Sequence, residues 1–380
     1  MAESFESRLR NELNVRRDEN LYRETRAFDS RLLNLSGNDY LDLKNNQKVL
    51  AVASEIAKKY GSGSGASPLL SGYLPCHEDL VNKLLSWKNK KFGMLFNTGF
   101  MANQALLKHL PDRNDLILVD RLIHHSMAQA LSHGPSKFKR YNHLDLDHLE
   151  ELLVCNIDKY DTVFVVTESV FSMDGDYPNL NNLVNLKKRY PFILILDEAH
   201  GTGVLGPTGA GLAEEVDVQD DVDIVIGTFG KALAGMGAYV LANSSSVIEY
   251  LTNKAGEYIY STFLSPHQAG VALATIDIVI KANDRRKSLS NISQWLRNKL
   301  LEYMDIETRF HTPIVPLVLG KSNDVLKFQE ICMNKGILVA AVRPPTVPKG
   351  SSRIRISLNS ELSEEQLGKF IDTVKEWSKK

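Results

Sequence analysis

Short, continuous apolar runs recur through the middle of this 380-residue chain, and each has the length of a β-strand rather than that of a helix. The clearest run is Phe192–Leu196, and similar runs lie at 116–119, 162–167 and 224–226, with amphipathic segments between them. Runs without polar alternation are typical of strands buried on both faces, as in a mostly parallel sheet covered by helices. The pattern therefore predicts an α/β fold.

The patterning divides the chain into three segments. Residues 1–45 have the spacing of an amphipathic N-terminal helix followed by a short strand, with the helical part extending to about residue 28. Residues 46–285 carry the alternating strands and helices of a large α/β domain. From 286 to 380 a long helix, short strands and two amphipathic helices predict a smaller α+β domain. The glycine-rich stretch 61–65 lacks the Gly-Lys-Ser/Thr ending of a nucleotide-binding loop, so we expect it to be a connector.

Composition argues against several classes of function. Lys and Arg together number 45 against 46 for Asp and Glu, so the chain lacks the basic excess of a nucleic-acid-binding protein. The three cysteines are odd in number and widely spaced, which predicts neither a disulfide framework nor a zinc site. Reduced thiols, and apolar runs too short for a signal peptide or a membrane span, predict a cytoplasmic protein. Chemistry on small molecules is the expectation that remains.

Polar side chains follow three of the apolar runs, at the point where each predicted strand ends. Asp197 and His200 follow Phe192–Leu196, and Thr228 and Lys231 follow the next run. The run that ends at Glu168 leads to Ser172, which supplies a hydroxyl. Singly, an aspartate there often caps a helix, a lysine is usually solvated, and a histidine caps a helix or packs in the core. In an open α/β sheet, however, ligands bind beyond the carboxyl ends of the strands. A carboxylate beside a pyridine nitrogen and an amine that holds an aldehyde as an imine are what pyridoxal 5'-phosphate (PLP) requires.

Two further segments supply what such a cofactor needs. Asn97-Thr-Gly99-Phe100 lies between a predicted strand and a predicted helix, where free backbone amides and the helix dipole favour a phosphate. Thr228 is placed to donate another hydrogen bond. His124 follows a strand, and its ring is better suited to stacking on a planar cofactor than to binding a metal, because no second cluster of metal-ligating residues accompanies it.

Taken together, the motifs of the chain resemble the α-oxoamine synthases, PLP enzymes with the fold type I architecture of aspartate aminotransferase. The resemblance runs over nearly the whole length. It is carried by the ordered segments Asn38-Asp-Tyr-Leu41, Gly65–Gly72, Asn97–Gln104, Asp120-Arg-Leu-Ile-His124, Glu168–Gly175, Asp197–Gly203 and Thr228-Phe-Gly-Lys231.

The resemblance implies a role for individual residues. Lys231 would bind the cofactor covalently, Asp197 would meet the pyridine nitrogen, His200 the phenolic oxygen and His124 one face of the ring. Gly99 and Phe100 would supply phosphate-binding amides. Ser172 and Thr228 are the further cofactor contacts, and the substrate-binding residues would be Arg23, Asn38, His124, Thr346 and Arg355. A guanidinium such as that of Arg355 can hold a carboxylate in two hydrogen bonds.

Within the family, Val342–Pro348 followed by Arg353-Ile-Arg355 most resembles the members that condense L-alanine with a pimeloyl thioester, with loss of CO₂. Sister enzymes that use glycine or serine remain the alternative, and a non-catalytic partner subunit is disfavoured by the presence of Lys231. The resemblance implies a homodimer and leaves open whether the acyl group arrives on coenzyme A or on a carrier protein. The basic run Lys88–Lys91 could attract an acidic carrier, although solvated charge is the simpler interpretation.

Overall fold

The computed structural model describes residues 2–379, which form two compact units. The larger unit comprises Asn38–Ser290 together with Asn359–Glu361. The smaller unit combines the N-terminal segment up to Gly37 with Asn291–Leu358 and the C-terminal segment from Leu362. The sequence-based boundaries at 45/46 and 285/286 therefore differ from the structural ones by five to eight residues, and the N-terminal segment is not a unit of its own.

The larger unit contains seven strands and most of the helices. Its strands are β2 (Phe92–Phe96), β3 (Leu116–Asp120), β4 (Lys137–Tyr141), β5 (Val163–Glu168), β6 (Ile193–Asp197), β7 (Ile224–Thr228) and β8 (Ala238–Ala242). Its helices are α2 (Gln47–Tyr60), α3 (Pro75–Lys88), α4 (Gly99–His109), α5 (His125–His133), α6 (Leu146–Asn156), α7 (Leu180–Arg189), α8 (Leu212–Glu215), α9 (Ser245–Lys254), α10 (Gly256–Ile259) and α11 (Pro266–Ile280). Helix α12 (Asn283–Leu301) crosses the boundary between the units in the sequence.

The seven strands form one sheet in the order β2-β8-β7-β6-β5-β3-β4. Strands β7, β6, β5, β3 and β4 pair in parallel, whereas β8 is antiparallel to both of its neighbours. Every residue of β3 and of β5 is buried, as the unbroken apolar runs predict for strands covered on both faces. The predicted α/β class is confirmed, while β8 lay outside the sequence prediction.

The strand directions bring several loops to one edge of the sheet. Because β2 and β7 are both antiparallel to β8, β2 runs in the same direction as the parallel strands. The carboxyl ends of β2, β3, β5, β6 and β7 therefore meet at the same edge, and the segment that leads into β8 starts there too. This is the edge at which α/β sheets bind ligands.

The smaller unit contains a three-stranded antiparallel sheet and a short parallel pair. The elements are α1 (Ala2–Asp18), β1 (Leu33–Asn34), β9 (Ile314–Gly320), α13 (Ser322–Asn334), β10 (Ile337–Leu338), β11 (Ala340–Val342), β12 (Ser352–Ser357) and α14 (Glu364–Trp377). The larger sheet has the order β11-β12-β9, and β1 pairs with β10. That pairing explains why the N-terminal segment belongs to this unit. Helix α1 ends at Asp18, ten residues before the predicted limit, and its apolar Phe5 and Leu9 are exposed.

The basic run Lys88–Lys91 is the clearest departure from the sequence interpretation. Lys88 and Lys90 are buried, so the run is neither a solvated patch nor a docking site for an acidic partner. The Lys90 Nζ donates to the Val222 carbonyl at 2.6 Å and also to the Gln219 carbonyl, while Lys91 stays exposed. Both buried ammonium groups are satisfied by backbone carbonyls or hydroxyls of the larger unit.

Two observations concern the whole described chain. The three cysteines are free thiols, with Cys76 and Cys332 buried and Cys155 exposed. Between residues 2 and 379, none of the helices combines the length and the apolar character that a bilayer span requires.

Candidate active site

A cavity of about 280 Å³ opens at the carboxyl edge of the seven-stranded sheet. Its walls come from the carboxyl end of β5, from the segments that follow β2, β3, β6 and β7, and from the segment before β8. The volume is close to the lower end of the range of about 300–1,000 Å³ that is usual for ligand pockets. Seven sequence-predicted residues line it, namely Gly99, Phe100, His124, Asp197, His200, Thr228 and Lys231.

The start of helix α4 forms one wall of the cavity. Thr98 caps the helix, and its hydroxyl accepts a hydrogen bond from the Met101 amide at 3.2 Å. The first amides of a helix have no partner within it, so those of Gly99 and Phe100 are available to an anion, aided by the helix dipole. A Cβ on Gly99 would lie only 2.5 Å from Thr228 Cγ2, so glycine is required for this close approach.

Two carboxylates lie side by side at the ends of β5 and β6. Glu168 and Asp197 are paired in the sheet register, and both are buried. Asp197 accepts hydrogen bonds from the Ala199 amide at 2.9 Å and from the Asn103 side chain at 3.2 Å. Glu168 accepts from the backbone amide of His124. Burial, with the Asp197 charge adding to it, raises the pKa of Glu168 well above its usual range. The Glu168 carboxyl therefore favours its neutral form beside Asp197.

A short polar network orients His124. Its Nδ1 lies 3.3 Å from the Ser126 amide and 2.8 Å from the Ser126 hydroxyl. Because a backbone amide can only donate, Nδ1 is the acceptor and Nε2 carries the proton of the neutral ring. Burial lowers the pKa of His124, against the opposing effect of the Asp197 charge. The Asn103 amide donates to the Ser126 hydroxyl at 3.0 Å and so joins this network to Asp197.

A tyrosine holds the ring of His200 in place. Its Nδ1 lies 2.7 Å from the Tyr40 hydroxyl, and both side chains are buried. The same hydroxyl lies 3.1 Å from Asn38 Oδ1. Tyr40 thus connects a predicted cofactor contact to a predicted substrate contact within the larger unit.

The amine of Lys231 follows the end of β7. Its Nζ lies 3.2 Å from the Thr228 hydroxyl, and the side chain is half-buried at the cavity wall. The neighbouring wall consists of Gly235, Met236 and Gly237, which precede β8. The glycines of this wall leave room for a planar group beside the amine.

The other predicted site residues lie outside this cavity lining. Ser172 belongs to the larger unit, in the loop after β5. Arg23 and Thr346 meet in the smaller unit, where the Arg23 guanidinium donates to the Thr346 hydroxyl at 3.0 Å. Arg355 is buried on the central strand β12, and its Nη1 donates to the Ser357 hydroxyl at 2.6 Å.

The residues present fit PLP. The cavity brings together an amine, a buried carboxylate, a hydroxyl, two imidazoles and a helix N-terminus, which match the aldehyde, pyridine and phosphate parts of that cofactor. Asn103 Oδ1 is buried at the cavity wall and has no hydrogen-bond partner among residues 2–379, as expected where a bound polar group completes the site. The same described residues include no cluster of three or more His, Cys, Asp and Glu side chains that could hold a metal ion.

Sequence reasoning missed the residues that orient the predicted ones. Asn103 stands four positions after Gly99 and hence one helical turn along the same face of α4, which is a signal that could have revealed it. Ser126 is one of two serines in α5, and its residue type alone gives no signal of this role. The part played by Tyr40 depends on a contact across 160 residues, which no local pattern reveals.

Comparison with known proteins gives a consistent result. Residues 30–374 match the family described as aminotransferase class I and II. A curated 8-amino-7-oxononanoate synthase from Chlorobaculum parvum is 41% identical over 351 residues, covering 90% of this chain and 88% of that protein.

Solved structures show the same fold. The 8-amino-7-oxononanoate synthase of Francisella tularensis is 28% identical with a TM-score of 0.79, covering 92% of this chain and 99% of that one. A structure described as SPT with PLP is 25% identical with a TM-score of 0.86, covering 92% of this chain and 87% of that one. These matches confirm the fold type and the family resemblance expected from the motifs.

Proposed function

We propose, from the premise that this chain belongs to the aminotransferase class I and II family, that it is a PLP-dependent 8-amino-7-oxononanoate synthase of biotin biosynthesis. The observation that carries the proposal is one cavity at which the Lys231 amine, the Asp197 carboxylate and the start of α4 meet. Curated relatives of that name, 41% identical in the case of Chlorobaculum parvum, support the specific activity.

The proposed reaction joins L-alanine to a pimeloyl thioester. The alanine Cα loses a proton, a carbon–carbon bond forms between Cα and the thioester carbonyl carbon, and the thiol carrier leaves. The carboxylate of alanine departs as CO₂, and a proton returns to the same carbon to give 8-amino-7-oxononanoate. When bound, PLP supplies an electron-withdrawing ring that stabilises the negative charge developing at Cα.

Lys231 and Asp197 take the central roles in this proposal. The Nζ atom of Lys231 would hold the cofactor covalently, and as a general base it would remove the Cα proton, work that typically accelerates a step by about 10²–10⁴-fold. The Asp197 carboxylate, oriented by Asn103 and by the Ala199 amide, would face the pyridine nitrogen and favour a proton there.

The histidines and the helix start hold the cofactor. His124, neutral with its proton on Nε2, would stack on the ring and offer a hydrogen-bond donor to substrate. His200, hydrogen-bonded to Tyr40, would meet the phenolic oxygen. The amides of Gly99 and Phe100 would bind the phosphate, and the hydroxyls of Ser172 and Thr228 would donate to the cofactor.

The substrate contacts are Asn38, Arg23, Thr346 and Arg355. The guanidinium of Arg355 is suited to the carboxylate of alanine, because two parallel hydrogen bonds fix the direction of the bonds at Cα. Thr346 lies between Pro345 and Val347, and its hydroxyl is already paired with Arg23. These two residues thus form a preassembled polar contact in the smaller unit.

The decisive experiment measures product and CO₂ with L-alanine, glycine and serine, each against pimeloyl, succinyl, acetyl and palmitoyl thioesters. We expect L-alanine with the pimeloyl donor to give the highest kcat/KM. Each turnover should release one molecule of CO₂ for each molecule of 8-amino-7-oxononanoate. Serine with palmitoyl, or glycine with a short acyl donor, would assign the chain to a sister synthase and contradict the proposal. Pimeloyl-coenzyme A compared with pimeloyl-carrier protein identifies the thiol carrier.

We also propose that the protein forms a homodimer, as the resemblance implies. The strongly exposed Leu70 and Tyr260 of the larger unit support a dimer, because large exposed apolar side chains often mark an interface. Light scattering coupled to size-exclusion chromatography would test the dimer, since a monomer at micromolar concentration would contradict it.

A cytoplasmic location is supported by the free thiols of Cys76, Cys155 and Cys332.

A further inference from the structure

His143 lies outside the cavity lining and bridges two carboxylates. Its Nδ1 is 2.9 Å from Asp120 Oδ1, and its Nε2 is 2.9 Å from Asp176 Oδ2. Both ring nitrogens must donate to satisfy two carboxylates, which only the imidazolium can do. We propose that His143 is a positioning residue of the reaction: as an imidazolium bridge it ties the loop that carries His124 to the loop that carries Ser172.

Asp120 organises the first of these loops. Its Oδ1 accepts from the Leu122 amide at 2.8 Å, and its backbone carbonyl accepts from the Ile123 amide at 3.3 Å. These bonds form the turn that leads directly to His124. Asp120 is completely buried, and the ion pairs of the described residues give it no cation other than His143.

Asp176 organises the second loop. Its backbone carbonyl accepts from the Phe171 amide at 2.9 Å, which closes the loop that contains Ser172. Its Oδ1 is buried and has no hydrogen-bond partner within residues 2–379, so the Asp176 side chain depends on His143 alone. Phe171 itself presents its ring to the imidazolium edge-on, at 4.5 Å between centroids.

The loop that contains His143 is built to hold this geometry. The next residue, Leu144, has a φ of +56°, a region that costs about 1–3 kcal/mol for a side chain of this kind. Its amide donates to Asp120 Oδ2 at 2.9 Å, which helps to hold that conformation. The paired carboxylates raise the pKa of His143 to about 10 although burial lowers it, so the bridge keeps its charge at neutral pH.

The test compares His143→Gln with His148→Gln in the PLP-loaded protein, and it rests on the proposed function for its kinetic part. His148 is a matched control, because it is also half-buried and accepts from the Asn142 amide of the same loop at 3.0 Å. It contacts a carboxylate through its backbone amide, which donates to Asp145, and its ring does not bridge two carboxylates as that of His143 does. We expect His143→Gln to lower kcat by about 10- to 100-fold and to change the visible circular dichroism of the cofactor, because small displacements of a site group have effects of that size. His148→Gln should change neither.

A double variant tests the charge argument. A glutamine can donate to only one of the two carboxylates, and its oxygen faces the other. Adding Asp176→Asn supplies a donor for that oxygen, so His143→Gln/Asp176→Asn should recover most of the lost kcat. Failure of this rescue, with both variants folded, would contradict an electrostatic bridge.

A second readout does not depend on turnover. In protein labelled with ¹⁵N-histidine, both His143 nitrogens should be protonated at pH 8, and the His124 signals should shift in His143→Gln but not in His148→Gln. A lowered melting temperature with unchanged kcat, cofactor dichroism and His124 signals would overturn the inference. If His143→Gln does not fold, Asp176→Ala carries the same test, since it cuts the link to the second loop and keeps the Asp120 ion pair. If the wild type makes no product, the proposed function fails, while the His124 signals still decide the positioning role.

Discussion

Two lysines of the larger unit, Lys231 and Lys88, differ in what surrounds the amine. Both lie near the end of an element, because Lys231 follows the end of β7 by three residues and Lys88 is the last residue of α3. The Lys231 amine, near Thr228, lines a cavity of about 280 Å³. The Lys88 amine donates to the Ala210 carbonyl at 2.6 Å and to the Thr202 hydroxyl at 2.7 Å, beside a void of only about 10 Å³.

The difference teaches that burial alone does not mark a functional lysine. Lys88 is more deeply buried than Lys231, and burial lowers its pKa to about 8. Its donors are nevertheless occupied by protein acceptors, and its charge lies 4.7 Å from the centre of the Trp87 ring. Such a group stabilises the loop after β6 and has no space for a substrate. A catalytic amine needs adjacent space as well as a low-dielectric surrounding.

Among the substitutions that test this difference, Lys231→Ala should cause the largest loss of activity. Removal of the amine removes both the covalent anchor for PLP and the general base, so we expect kcat to fall by about 10⁴-fold or more. The visible absorption band of the lysine-bound cofactor should disappear as well, while the fold is retained, because the side chain is only half-buried. Turnover assays and absorbance spectra measure the two effects. A variant that kept both the band and the activity would remove Lys231 from the site.

Asp197→Asn should have the next largest effect. The amide keeps the shape but cannot keep a negative charge at the pyridine nitrogen, so we expect kcat to fall by about 10²–10³-fold, as for other preorganised electrostatic groups. The matched control is Asp223→Asn at the amino end of β7, where the carboxylate accepts from Leu194 and pairs with Lys187 at the opposite edge of the sheet. Steady-state kinetics should show a change of less than about threefold for this control. Equal losses in both variants would contradict the assignment.

Much of the fold and of the cavity could be predicted from local pattern. The α/β class follows from the unbroken apolar runs, and Asp197 and Lys231 follow from their positions after two of those runs. The antiparallel strand β8 could not be placed, because an apolar run does not encode the direction of its neighbour. The burial of Lys88 and Lys90 was missed because their acceptors are backbone carbonyls about 120–130 residues away, such as Ala210 and Val222, which any sequence provides.

Lys88→Met should affect stability rather than chemistry. The substitution leaves the Ala210 carbonyl unpaired and removes a positive charge that favours the ionised form of the buried Glu198, so we expect the free energy of unfolding at pH 7 to fall by about 3 kcal/mol. Urea denaturation measures this loss, and kcat should change by less than about threefold. The control Lys91→Met replaces an exposed lysine of the same run and should leave both quantities unchanged. A larger loss of kcat than of stability would place Lys88 in the catalytic apparatus.

The pH dependence of the free energy of unfolding should distinguish the buried Lys88 from an exposed lysine, and this is the smallest effect that we expect. Its pKa is about 8 in the folded protein, against the usual 10.5, because burial disfavours the charged form. Below pH 8 both states hold the proton, and the difference between wild type and Lys88→Met is constant. Between pH 8 and 10.5 the unfolded chain holds more protons than the folded one, so the free energy of unfolding of the wild type should rise relative to the variant by up to about 1.4 kcal/mol per pH unit.

Lys90, whose pKa burial also lowers to about 8, is present in both proteins, so its contribution cancels in the difference. Urea denaturation of both proteins at half-unit steps measures the slope, and a flat difference across this window would mean that the Lys88 amine is not desolvated as the structure describes it.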